Sequence, residues 1–229
     1  MTRTRVVLFD AGGTLFRERT SRAAIYADSA RRHGLAVTDA AIAAAMEASH
    51  AALPSVVAGE FRYSPAWFRR FIADVFARVG HARLPPGLAP ELFDRFADAA
   101  TFRRFDDVVP ALDALARRGC RLAVVSNWSA ALPELLERLG IARRFDFVLA
   151  SAAERVEKPD AGLFLRALER AGVEAAAALH VGDQPARDVA GALAAGIAPV
   201  LLDRDGAHAR FPGVRIASLL ELPELLRGA

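Results

Sequence analysis

The chain has 229 residues, 53% of them hydrophobic and 25% charged, with a formal net charge of +3. That length holds one large core, or a core of about 140 residues with a smaller inserted module, and the composition excludes a disordered chain. A pI of about 9.7 would suit a nucleic-acid partner, but the arginines are dispersed and lysine supplies one of the 30 basic residues; that pattern reads as a composition bias and argues against nucleic-acid binding.

No apolar run reaches the roughly 18 residues of a membrane-spanning helix, and only four apolar residues separate Arg5 from Asp10. Neither a membrane role nor a signal peptide is expected. The single cysteine, Cys120, excludes an internal disulfide and sits where a buried strand should start. A reducing cytoplasm, and a monomer or homodimer, are the expectations.

In chain order, Val6 to Phe9 is an apolar run of strand length that stops at Asp10 and a Gly12-Gly13 turn. About a hundred residues without strand alternation follow. Helical spacing predicts helices near Ser21 to His33, Asp39 to Ala51, Pro65 to Val79 and Pro90 to Ala99, broken at Gly34, Gly59 and the Leu84 to Gly87 stretch. The stripe of Trp67, Phe68, Phe71, Ile72, Val75 and Phe76 reads as the core of that bundle and not as a cofactor box. Beyond it, apolar runs at Leu122 to Val125, Phe147 to Ala150, Leu179 to Val181 and Pro199 to Leu202 alternate with helical patterns at Pro110 to Arg118, Gly162 to Ala171 and Ala186 to Ala195. Strand and helix in this rhythm predict an α/β fold: a Rossmann-like parallel sheet core, residues 1–16 and 104–229, with an inserted four-helix cap, residues 17–103.

Polar residues at the C-terminal ends of parallel strands face a common crevice. Asp10, Ser126, Lys158 and Asp183 occupy such places. Asp10 could cap a helix or form a turn; beside Gly12 and Gly13, whose turn can aim backbone amides at an anion, it can also attack phosphorus if a cation offsets the charge. Ser126 could equally cap the next helix. Lys158 could be a solvated loop residue, but as the one lysine in an arginine-biased chain it suits a task for a compact ammonium, such as neutralising phosphate. Asp183 fits magnesium, which favours one or two carboxylates. Asp188, five residues on, could cap a helix, reach a metal-bound water or pair with Lys158.

Taken in order, Asp10 to Leu15, Ser126, Lys158-Pro159 and Gly182-Asp183 to Asp188 resemble the four motifs of the haloacid dehalogenase superfamily, and the helical insert lies where that superfamily carries a cap. The resemblance implies a hydrolase of a small phosphorylated metabolite. Asp10 would form an aspartyl-phosphate. Gly13, Thr14, Ser126, Asn127 and Lys158 would bind the phosphoryl group. Asp10, the Gly12 carbonyl and Asp183 would hold Mg2+, with Asp188 supporting the metal or orienting Lys158.

One position departs from the resemblance. Its phosphatases carry a second acid two residues after the nucleophile, where this chain has Gly12. That carboxyl supplies general acid and base help of about 10²- to 10⁴-fold. Slow turnover is therefore expected, and Gly12→Asp is expected to speed it. Two alternatives stand: a 2-haloacid dehalogenase-like hydrolase, whose relatives place an aromatic residue at the position of Gly12 and lack the acid at Asp183, and a weakly active phosphate- and magnesium-binding regulator. A Schiff-base mechanism through a cap lysine is excluded, since Lys158 has no companion.

Overall fold

The computed structural model describes residues 5–226. The chain divides into two compact units, one made of residues up to Arg17 and from Arg104 onward, the other of Glu18–Arg103. Each is considered by itself.

The core unit opens with β1 (Val6–Phe9), all four residues buried, as a strand covered on both faces must be. The chain leaves through β2 (Phe16–Glu18). In the inserted unit α1 (Arg22–Arg32) and α2 (Asp39–Ala52) start at Ser21 and Thr38, whose hydroxyls accept from the amides of Ala24 and Ala41. A hairpin of β3 (Val56–Val57) and β4 (Glu60–Phe61) follows. It corrects the expectation of an insert without strands: Ala58 at φ 50° and Gly59 at φ 79° form its turn, and an alanine in the left-handed region carries no sequence signal. Then come α3 (Pro65–Arg78), capped by Ser64 with Pro65 in its first turn, and α4 (Leu88–Ala97). The latter begins and ends two residues early, at Gly87 and at Asp98, whose carboxylate turns to the amide of Ala100. Tyr26, Trp67, Phe71, Ile72, Val75 and Phe76 are buried together, and Trp67 stacks on Phe71 with centroids 5.1 Å apart. The aromatic stripe is the core of the insert.

The chain returns through β5 (Phe102–Arg104) and builds α5 (Val108–Arg117), β6 (Arg121–Ser126), α6 (Leu132–Arg138), β7 (Phe147–Ala150) and α7 (Ser151–Glu154). It continues through α8 (Ala161–Ala171), β8 (Ala178–Gly182), α9 (Ala190–Ala194), β9 (Ala198–Leu202), β10 (Arg215–Ile216) and α10 (Leu222–Leu225). Cys120 precedes β6 and is half-buried, outside the strand expected to hold it. The stretch expected as one helix from Ala186 is instead a π-helical turn at Pro185–Val189 leading into α9.

The sheet runs in the order β10-β9-β8-β1-β6-β7, with every neighbouring pair parallel. From central β1 the chain winds outward through β6 and β7, then crosses back to wind outward through β8, β9 and β10. The carboxyl end of β1 is therefore the topological switch point, where such sheets open a crevice. Val6, Leu8, Ala123, Val125, Leu149, Leu163 and Phe164 form the core beneath it. Among the described residues, no helix is long and apolar enough to cross a membrane.

Candidate active site

Asp10 follows β1 at the switch point, and its amide donates to the carbonyl of Val181 at 2.9 Å. This bond continues the β1–β8 ladder one residue past the strand, so the carboxylate is aimed by the sheet itself. Ser126, the last residue of β6, is 2% exposed and hydrogen-bonds Asp10. It does not cap a helix, since α6 starts from Ala131.

Lys158 is 3% exposed, which removes the solvated-loop reading. Its Nζ lies 2.6 Å from Asp10 Oδ1 and 2.6 Å from Asp188 Oδ1. Asn127 holds the lysine from behind: its Nδ2 donates to the Lys158 carbonyl at 2.9 Å and its Oδ1 accepts from the Lys158 amide at 2.8 Å. The Asn127 side chain thus holds the backbone of Lys158.

Asp183 sits half-buried just past β8. Thr14 Oγ1 donates to its Oδ1 at 3.5 Å. Gly13 lies against Asp183. Its amide is engaged by the Phe16 carbonyl at 2.8 Å, while a Cβ on it would lie 2.3 Å from Asp183 Oδ2. With φ at 87°, the residue must be glycine both for its conformation and for the approach of Asp183. Gly182 serves Asp188 in the same way, with 2.1 Å between an added Cβ and Asp188 Cγ.

Asp188 lies inside the turn that follows β8. From the π-helical turn its Oδ2 accepts from the Gln184 amide at 2.9 Å, and its Oδ1 meets Lys158 and, at 3.0 Å, His180 Nε2. His180 is fully buried in the middle of β8, edge-on to Phe164. Burial lowers its pKa against the pull of Asp188. The only cue to it in the sequence is a histidine inside an apolar run.

The charges explain one another. Burial, then the nearby Asp188, raises Asp10 against the pull of Lys158 and Ser126. Burial disfavours the ammonium of Lys158, but Asp10 and Asp188 outweigh it and hold the lysine charged. Burial likewise opposes the charge on Asp188, and Lys158 and His180 overcome it, placing Asp188 well below the usual carboxylate range. Asp183, with no such partner, is pushed up to about 7 by burial and by the charges of Asp10 and Asp188. Three carboxylates against one ammonium leave an excess of negative charge that a cation would relieve.

Oxygens of Asp10, Asp183 and Asp188 lie within 4.8 Å of one another. An all-oxygen set of this size fits a hard divalent cation. Asp10 and Asp188 each share an oxygen with Lys158, and Asp183 does not.

Two further residues shape the site. Arg204 donates to the Thr14 carbonyl at 2.9 Å and grips both oxygens of Asp107 at 2.7 and 3.0 Å, tying the loop after β1 to the rest of the core. Trp128 lies over Gly12: a Cβ on Gly12 would be 2.8 Å from the indole Cζ3. A side chain placed at Gly12 would require the Trp128 ring to shift.

Comparison with known proteins agrees with this geometry. The family model for haloacid dehalogenase-like hydrolases matches residues 4–196. Haloacid dehalogenase-like hydrolase domain-containing protein 3 of Bos taurus is 34% identical over 84% of this chain and 79% of its own length. Phosphoserine phosphatase of Thermus thermophilus is 31% identical over 87% of this chain and 89% of its own. The crystal structure of a 2-haloacid dehalogenase from Pseudomonas syringae superposes with a TM-score of 0.71 at 30% identity, covering 99% of this chain and all of that one. A strand-end aspartate bridged by a buried lysine to a second acid, on this sheet and with this match, places the chain in the haloacid dehalogenase-like hydrolase family.

Proposed function

We propose that the chain hydrolyses small phosphate monoesters in a magnesium-dependent reaction, with Asp10 as the nucleophile. The observation that carries this reading is the buried Asp10–Lys158–Asp188 bridge, 2.6 Å on each side, beside an oxygen cluster that keeps Asp183. Magnesium, when bound, supplies the charge that lets a carboxylate approach a phosphate dianion. Asp10, Asp183 and the Gly12 carbonyl would hold it. Lys158 offers its ammonium to a phosphoryl oxygen, Ser126 and Thr14 offer hydroxyls, and Asn127 keeps Lys158 in place. The similarity to a phosphoserine phosphatase supports phosphorus as the reaction centre.

The test is phosphate release from a panel of metabolite and generic phosphates, with magnesium and with EDTA. Asp10→Asn should lower kcat/KM by roughly 10⁴- to 10⁶-fold, the scale of removing a covalent nucleophile. Magnesium should raise the melting temperature of the wild type and not that of Asp183→Asn. Release that survives both EDTA and Asp10→Asn would sink the reading.

One observation favours a second reading. The Trp128 ring covers Gly12, where the dehalogenases of this superfamily carry an aromatic side chain. Chloride released from 2-chloropropionate without metal, by the wild type and not by Asp10→Asn, would establish displacement at carbon instead.

A further inference from the structure

The position two residues after the nucleophile, Gly12, lies against a side chain from a different strand end. Trp128 comes two residues after Ser126, and its ring stands edge-on to Phe16, with centroids 5.3 Å apart and planes at 87°. Phe16 is fully buried, so the indole rests on a fixed surface. Its backbone is fixed too: the Trp128 carbonyl accepts from the Ala152 amide at 3.1 Å and from Ser151 Oγ at 3.4 Å. The ring is therefore a built wall over Gly12, where an added Cβ would be 2.8 Å away.

That wall cannot do acid chemistry. An indole N–H does not give up its proton at neutral pH. The carboxylates around Asp10 are otherwise occupied: Asp10 and Asp188 are bridged by Lys158, and Asp183 belongs to the oxygen cluster. We infer that Trp128 is a specificity-determining residue, restricting the enzyme to phosphate esters and anhydrides whose leaving groups depart as stabilised anions, aryl and acyl phosphates above all. This rests on the phosphatase reading proposed above.

The steps balance without a protein acid. A carboxylate oxygen of Asp10 bonds to phosphorus as the bond from phosphorus to the leaving oxygen breaks, and that oxygen departs with the electron pair as an anion. Water then bonds to phosphorus, the carboxylate of Asp10 is released, and the proton from water passes to the buffer, leaving inorganic phosphate. With no assistance to departure, the rate of the first step follows the stability of the expelled anion.

The experiment measures kcat/KM for 4-nitrophenyl, phenyl, 4-methoxyphenyl and benzyl phosphate with magnesium. Benzyl phosphate keeps an aromatic ring but must expel an alkoxide, which separates shape from leaving-group chemistry. The expected fall from 4-nitrophenyl to benzyl phosphate is roughly 10²- to 10⁴-fold, the size of general-acid assistance. Trp128→Phe, which keeps a ring in place, should preserve that span. Gly12→Asp alone should lose activity on all four, whereas Gly12→Asp with Trp128→Ala, having both the acid and the room for it, should narrow the span. Rates within about tenfold across the wild-type series would overturn the inference by showing that a proton reaches the leaving group from elsewhere, and would leave the phosphatase reading intact. No phosphate from any of the four, with chloride released from 2-chloropropionate, would remove the phosphatase reading and the inference with it.

Discussion

The two units use charge in opposite ways. In the core, four ionisable groups crowd the end of β1 at 1% to 5% exposure or half-buried, and each is matched to a partner or to the oxygen cluster. In the insert the interior is aromatic and the ion pairs lie outside, as with Arg31 and Asp39, whose side chains are about half exposed. An ion pair at the first place cannot be broken without stranding a charge; at the second, water replaces the lost partner. One unit is therefore constrained by electrostatics and the other by shape.

The sharpest way to break the contrast is Lys158→Met. It leaves Asp10 and Asp188 buried without their counter-ion, a change that costs about 3–5 kcal/mol of stability, and it should abolish phosphate release. Denaturant unfolding and a phosphate assay check both, and Lys158→Arg should fail to restore activity because a planar guanidinium does not replace a compact ammonium held between two carboxylates. In the insert, Trp67→Ala should cost a comparable amount, about 3–5 kcal/mol, by leaving a cavity against Phe71. If the insert is governed by shape, Trp67→Phe should recover most of that loss.

Arg204→Ala should remove about 1.5–3 kcal/mol, the value of hydrogen bonds to a charged group, and should lower kcat more than it raises KM, because the loop after β1 loses its tether at Thr14. The Asp107 that receives Arg204 gives a pH test. Burial opposes its charge, but Arg204, Ser218 and the Leu219 amide outweigh that and lower its pKa below the ordinary 3.8. A depressed carboxylate adds stability at pH values above 3.8, and this contribution disappears as the pH falls through the lower, folded value. The melting temperatures of the wild type and Asp107→Asn should thus differ at neutral pH and converge in acid below about pH 4. The smallest effect is expected from Asp39→Asn at the Arg31 pair, under about 1 kcal/mol and weaker still in high salt.

The same division decides what could be read from residues alone. An apolar run ending in an acid marks β1 and Asp10, and an arginine-biased chain with one lysine marks Lys158; both signals are local. His180 and Arg204 carry no such mark, and Asn127 is indicated only by the resemblance. Asn127 grips a backbone 31 residues away, and Arg204 reaches the Thr14 carbonyl across 190 residues, so their roles exist only once the sheet has assembled. Gly13 illustrates a third case: its conformation was legible as a turn, but the reason for it, the approach of Asp183, was not. In the insert, four helices followed from periodicity and caps, while the β3–β4 hairpin turned on an alanine that bears no turn signature. Nothing in the neighbours of Trp128 in the sequence shows that it lies against Gly12.

The solitary lysine has a practical corollary. Acylation or reductive methylation of side-chain amines has a single destination in this chain, and that amine is 3% exposed and clasped by two carboxylates. Reagents that neutralise lysine should leave the folded protein untouched there, so the outer surface, cationic through arginine, keeps its charge under acetylating conditions. Nuclear magnetic resonance of lysine enriched in ¹⁵N should accordingly return one side-chain ammonium signal, a reporter of the Asp10 environment that needs no assignment.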